Sequence, residues 1–246
     1  MIQPAGDDGL QETIEPLGDC ALLVRLGDRI DDGLNRRAHA LAALLSKSHL
    51  PGVGDVSAAF ASVCIRYDPG AWADPVTAQS PYQRLSAAIV ELIRSTRTSA
   101  SLPRQSTERP FEIPVCYGGH YGADIEVVAA QAGIDNNEVI ARHSAGAYRV
   151  AMLGFMPGFA YLTGLDPALH TPRRATPRTR VPAGSVAIGA AQTGIYPREL
   201  PGGWQLIGRT PLILFDPGRA QPALLSPGQS VRFCAIDPGE FARLSS

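Results

Sequence analysis

Between Gly154 and Pro211 the chain packs nine glycines and eight prolines into 58 residues, about 29% of the segment against about 19% of the whole 246-residue chain. Proline removes a backbone donor and fixes φ, and glycine weakens both helices and strands. A long helix is therefore excluded here, and short strands joined by tight turns are the remaining ordered option. Gly and Pro at this density also mark disordered sequence. Here Phe155, Phe159, Tyr161, Val186, Ile188, Ile195, Tyr196, Trp204 and Ile207 interrupt them with side chains able to build a core. The segment carries six arginines, no lysine and only two acids, Asp166 and Glu199, while the rest of the chain holds 16 basic and 21 acidic residues. Rigid loops holding guanidinium groups suit a small anion.

The whole chain has a net charge of −1, and 45% of its residues are hydrophobic. That balance excludes a general electrostatic attraction to nucleic acid or an anionic membrane. The longest uncharged stretches, Val150–Leu165 and Val181–Pro197, are both broken by Gly and Pro, so no membrane span is expected. The first residues, MIQPAGDDGLQETIE, lack the basic start and apolar run of a signal peptide. Cys20, Cys64, Cys116 and Cys234 form no CxxC pair, which speaks against zinc and a disulfide framework and for free thiols in a cytoplasmic protein.

Hydrophobic periodicity divides the chain. A strand over Cys20–Leu26 precedes a helix with Leu34, Ala38, Leu41 and Leu45 on one face, capped by Asp31 or Asp32. Val53–Phe60 and Ser62–Tyr67 read as a hairpin, and Tyr82–Arg97 as a second amphipathic helix. This is a small α+β domain over residues 1–108, ending in a polar linker at about 98–109. From 109 to 246, strands are expected at Phe111–Cys116, Ala147–Phe155, Val186–Ile188, Trp204–Ile207, Leu212–Phe215 and Val231–Phe233. Short helices are expected at Gly122–Gln131, ended by Gly133, and at Asn136–His143, capped by Asn136 or Asn137. Many short strands with dense turns argue for a closed barrel or a sandwich.

Several familiar sites are absent. There is no GxxxxGK, no GxGxxG between strand and helix, no GxSxG and no HExxH. The candidates for chemistry lie in the basic segment. In extended chain Arg178 and Arg180 project to one side and can converge on an anion with Arg174; alternatively they pair with acids on the other domain or on a partner. Arg209 is either a second anion clamp or part of a structural ion pair. Gln192, Thr193 and Tyr196 offer an amide, a hydroxyl and a phenol to orient an amide or lactam, or else form a tight turn with Tyr196 packed on the barrel. Phe155 and Tyr161 either wall a pocket or belong to the core. His143 is a candidate acid, base or hydrogen-bond donor, or a structural histidine.

The motifs GFMPGFAYL, LDP, TPRRATPRTRVPAGSVAI, QTGIYP and PGGWQLIGRTP, with PLGD at Pro16–Asp19, LPGV at Leu50–Val53 and PVCYGG at Pro114–Gly119, closely resemble the family that contains the B subunit of ATP-dependent 5-oxoprolinase. That family is also labelled allophanate hydrolase subunit 1 or carboxyltransferase C/D subdomain, and includes the kinase inhibitor KipI. The sequence departs from the family pattern at Ala160, at Gly189-Ala190-Ala191, at Gln229 and at Ala123.

The resemblance implies an α+β fold, with a cyclophilin-like closed β-barrel and short helices following the small first domain. It implies a heteromer with a second, carboxyltransferase-like subunit and a third ring-opening subunit. The implied reaction is the ATP-dependent opening of 5-oxo-L-proline to L-glutamate through phosphorylation of the lactam carbonyl, with ATP and Mg at a site shared with the partner and no biotin on this chain. Arg173, Arg178, Arg180 and Arg209 would then supply positive charge and Gln192, Thr193 and Tyr196 would orient the substrate. The rival readings are a KipI-like inhibitor of a histidine kinase, a carboxyltransferase component of a urea- or allophanate-processing system, and a prolyl isomerase.

Overall fold

The computed structural model describes residues 12–97 and 109–245, and the chain divides into two compact units, Met1–Ser106 and Thr107–Ser246. The expected linker, apart from Arg109, lies outside the described residues. In the first unit β1 (Thr13–Pro16), β2 (Ala21–Arg25), β3 (Val53–Ala58) and β4 (Ser62–Tyr67) form one antiparallel sheet in the order β1-β2-β4-β3. Alternation along β4 buries Val63 and Ile65 and leaves Arg66 in solvent. Two helices, α1 (Asp32–Lys47) and α2 (Pro81–Arg97), complete this core with Leu34, Ala38, Leu41 and Leu45 from the first and Leu85 and Ile89 from the second. Asp31 is the cap of α1, its carboxylate accepting the Leu34 N–H at 2.9 Å.

The second unit is built on a closed seven-stranded barrel. Its strands are β5 (Phe111–Tyr117), β6 (Tyr148–Leu153), β7 (Ala160–Thr163), β9 (Ser185–Gly189), β10 (Gln192–Ile195), β12 (Gln205–Arg209) and β13 (Ser230–Ala235), in the order β10-β7-β6-β13-β5-β12-β9. Only the β5–β13 pair is parallel. A separate ribbon joins β8 (Arg178–Val181) to β11 (Leu200–Gly202). Three helices, α3 (Ile125–Ala132), α4 (Asn136–Ala145) and α5 (Pro238–Leu244), pack around the barrel, α3 against β12, α4 against β13 and α5 against β5. The inward faces of the strands supply Ile113, Val115, Val150, Leu162, Val186, Ile188, Ile195, Ile207, Val231 and Phe233 to one core.

Three local expectations are corrected. Leu212–Phe215 forms no barrel strand. It follows Pro211, and its backbone bonds go to the loop at 222–224, Leu224 N–H to Leu214 C=O and Asp216 N–H to Pro222 C=O, both at 2.9 Å. The cap of α4 is Asp135, whose carboxylate accepts the Glu138 N–H at 2.8 Å, rather than Asn136 or Asn137. The helix α5 is not among those expected, although Asp237 at its cap, Pro238 after it and Glu240 in its first turn carry a helix-start signature.

All four cysteines are free thiols. Among the described residues no helix is long and apolar enough to cross a membrane.

Leu162 is fully buried between neighbouring barrel strands. Leu162→Ala should lower the unfolding free energy by about 2–5 kcal/mol, read as a reduced urea midpoint at unchanged slope; a loss below about 1 kcal/mol would mean that the barrel interior collapses around the gap.

Candidate functional site

The basic segment is tied down by one carboxylate. Asp124 stands at the start of α3 but gives its side chain to no helix N–H. Instead Arg178 donates to both of its oxygens, at 2.8 and 2.7 Å, Arg174 donates at 3.1 Å, and the Leu206 N–H donates at 2.8 Å. The Asp124 N–H in turn donates to Leu206 C=O at 2.8 Å. Only 4% of the Asp124 side chain is exposed. A buried carboxylate needs such saturation, because an unpaired buried charge is costly.

Arg178 and Arg180 do not converge on one ligand. Arg180 turns to Glu199, donating from Nε at 2.8 Å and from a terminal nitrogen at 3.1 Å on an exposed surface. Arg209 donates to the Ala183 carbonyl at 2.7 Å. The arginines expected to clamp an anion are therefore largely committed within the chain. Arg173 is the exception. It is exposed, has no carboxylate partner among the described residues, and lies over the Trp204 ring, 5.7 Å from its centroid. That is cation–π distance.

Trp204 organises an aromatic cluster on the outer face of the barrel. Phe159 meets Tyr196 and Trp204 edge-on, with centroids 5.2 and 5.8 Å away, and Tyr161 meets Trp204 at 5.8 Å. These are favourable aromatic geometries. The indole lies against β9 and β10 where Gly189 and Gly194 leave room for it: a β-carbon there would sit 2.5 Å and 3.0 Å from ring atoms. Trp204 is buried, as a core residue should be; its position under Arg173 is what the sequence does not disclose. Burial pushes the Tyr161 phenol up, and the Arg173 charge partly offsets the shift.

Gln192 belongs to this face. It pairs with Gly189 in the β9–β10 register, and directly opposed residues project to the same side. Tyr196 is also in the cluster, but it is 2% exposed and its ring fills the space above Gly202; burial raises its pKa. Its phenol is structural rather than open to a substrate. Phe155 is 64% exposed, with φ of 67°, and meets Phe159 edge-on at 5.7 Å.

His143 and Thr193 lie elsewhere, within the barrel. Thr193 Oγ1 donates to the Ala187 carbonyl at 3.0 Å, so toward His143 Nε2, at 3.1 Å, it accepts. The Nε2 atom therefore carries the proton, and Nδ1 accepts from the Tyr117 hydroxyl at 2.8 Å. Both ring nitrogens are occupied and no part of His143 is exposed. Burial lowers its pKa to about 3 and raises that of Tyr117. His143 is thus a neutral core residue rather than an acid or base facing a ligand.

The structure brings Arg173, Tyr161 and Gln192 together around Trp204. It commits Arg174, Arg178, Arg180 and Arg209 to partners and places Thr193, Tyr196 and His143 in packing roles. Sequence reasoning misses Asp124. A segment with six arginines and two acids must find carboxylates outside itself, and that imbalance is the available signal. Among the described residues no three His, Cys, Asp or Glu side chains gather as a metal site would require.

Two outcomes follow. Asp124→Asn should cost about 3–5 kcal/mol, because two guanidinium groups lose their shared partner; an unchanged denaturation midpoint would contradict the anchoring role. For His143, the folded pKa of about 3 lies below the unfolded value of about 6.5. The unfolded chain therefore takes up the proton first as pH falls. Stability should decline between about pH 6.5 and 3, by at most about 1.4 kcal/mol per pH unit from this group. His143→Gln should flatten that slope in denaturant titrations at several pH values, and an identical slope would sink the assignment.

The family described as carboxyltransferase domain, subdomain C and D, matches residues 12–225. The chain is 40% identical to the B subunit of 5-oxoprolinase from Bacillus subtilis (strain 168) over 230 residues, which are 93% of this chain and 94% of that protein. It is 53% identical to the corresponding B subunit from Escherichia coli O157:H7 over 158 residues, 64% of this chain and 72% of that one. The crystal structure of TTHA0988 superimposes with a TM-score of 0.72 at 37% identity over 88% of this chain, and the matched part spans 40% of that longer chain. On both the extent of the match and the identity, the chain belongs to the carboxyltransferase domain, subdomain C and D, family.

Proposed function

We propose that this protein is a subunit of an ATP-dependent 5-oxoprolinase that opens 5-oxo-L-proline to L-glutamate together with a second, carboxyltransferase-like subunit and a third, ring-opening one. The observation that carries the reading is the 40% identity to a 5-oxoprolinase B subunit over almost the full length of both chains. A lactam resists hydrolysis because its amide is resonance-stabilised. Transfer of the γ-phosphoryl group of ATP to the lactam oxygen releases ADP and leaves the ring carbon open to water. Collapse breaks the C–N bond with the nitrogen protonated, and a second water releases phosphate from the acyl phosphate to give L-glutamate. Such a path needs fixed positive charge and an aligned carbonyl.

On this chain the group suited to meet an anion is Arg173, since Arg174, Arg178 and Arg180 already hold carboxylates. Gln192 is the amide suited to align a carbonyl. The reaction is placed in the cytoplasm, where ATP is available.

The test uses the chain co-expressed with its partner subunits. Phosphate release should require both ATP and 5-oxo-L-proline, and urea or allophanate should not replace the lactam. Arg173→Ala should lower kcat/KM about 10- to 100-fold, the loss of one charge-assisted contact, while Arg180→Ala stays within about twofold because its ion pair is exposed. Phosphate release that ignores 5-oxo-L-proline would overturn the reading.

A further inference from the structure

Around Trp204 several buried polar atoms have nothing to bond, Arg174 Nε and Gln205 Oε1 among them, and two more face each other across the outer side of β7 and β10. Gln192 and Thr163 are each 7% exposed, and the Gln192 amide nitrogen and the Thr163 hydroxyl are buried without a hydrogen-bond partner. The register pairs Thr193 with Leu162. One step further along the same ladder, Gln192 on β10 stands opposite Thr163 on β7. Leu162 and Thr193 point into the barrel, so by alternation Gln192 and Thr163 share the outer side. Each buried, unsatisfied polar group is costly, and native structures leave few of them. Two on facing strands, beside an exposed arginine without a carboxylate partner, describe a site that a ligand completes.

We infer that this face takes the cyclic amide itself, a small lactam bearing a carboxylate, and that the phosphates of ATP are held elsewhere; the inference rests on the 5-oxoprolinase reading. The chemistry matches group by group. A lactam presents a carbonyl and an N–H side by side in one plane. The Gln192 amide nitrogen donates to the carbonyl, and the Thr163 hydroxyl accepts from the ring N–H. The carboxylate meets Arg173, which lies over Trp204, and Tyr161 flanks the apolar ring from its place against Trp204. A triphosphate asks for something different: several cations or a cradle of backbone donors. Arg174, Arg178 and Arg180 are bound to Asp124 and Glu199, Arg209 donates to the Ala183 carbonyl and Arg198 lies against the Met156 sulfur, so the arginine over Trp204 serves one carboxylate.

Trp72 and Trp204 are the two tryptophans of the chain, so Trp72→Phe leaves Trp204 as the reporter. In the full-length chain, 5-oxo-L-proline should shift Trp204 emission saturably. 2-Pyrrolidinone, which lacks the carboxylate, and L-proline, which lacks the lactam carbonyl, should each bind about tenfold more weakly or worse, and ATP should neither shift the emission nor compete. Gln192→Leu and Thr163→Val should each weaken binding about tenfold. Because both remove an unsatisfied polar group, they should leave the melting temperature equal or higher, which separates lost recognition from lost folding. In the assembled complex the same variants should raise KM for 5-oxo-L-proline and leave KM for ATP unchanged. A complex that turns over 5-oxo-L-proline with unaltered KM in both variants, or a Trp204 signal that answers to ATP, overturns the inference and leaves the proposed reaction standing. A complex inert toward 5-oxo-L-proline removes the reaction instead.

Discussion

The carboxylate of Asp124 is the fixed point of the second unit. Four hydrogen bonds converge on it, three from guanidinium groups and one from the Leu206 backbone. Through them a loop-rich, proline-rich stretch acquires a defined path over the barrel without needing long secondary structure. The prolines limit what that stretch can do, and the ion pairs select one path from what remains. Arg173 precedes one of the anchored residues directly, so its station above Trp204 follows from the anchoring of Arg174. Charge that reads as a ligand trap in the sequence is in large part internal scaffolding, and the scaffolding holds the Arg173 guanidinium in place above Trp204.

Buried polar groups in this barrel fall into two kinds. Inside, Tyr117, His143 and Thr193 form a chain in which every proton has a place, ending at the Ala187 carbonyl. Such a closed network adds rigidity and has no capacity left for chemistry. Outside, Gln192 and Thr163 retain capacity. Thr193 and Gln192 are adjacent in sequence, and strand alternation alone sends one to each population.

That alternation also explains what is legible in the sequence. The two helices of the first unit and the strand at Phe111 are readable because each has a strong hydrophobic period. The barrel strands β7 and β10 and the ribbon strands β8 and β11 are not, being three or four residues long and defined by partners rather than by pattern. The site is legible as composition: arginine, amide and aromatic residues in one stretch. Which arginine pairs with which acid depends on Asp124, 50 residues before Arg174 and 54 before Arg178, and no local signal carries that. Thr163 escapes a reading of the sequence because its importance comes entirely from the strand opposite it.

The parallel pairing of β5 with β13 joins Phe111 to Val231, on strands near the two ends of the second unit. On a ribosome, β5 emerges long before its partner exists. Until residue 235 is clear of the exit tunnel the barrel has two open edges, and strand edges are where chains aggregate. Pairing across such a separation is also slow. The seam between these two strands therefore closes late as the chain is made, and slowing translation just before β13 would lengthen the time its edges stay open.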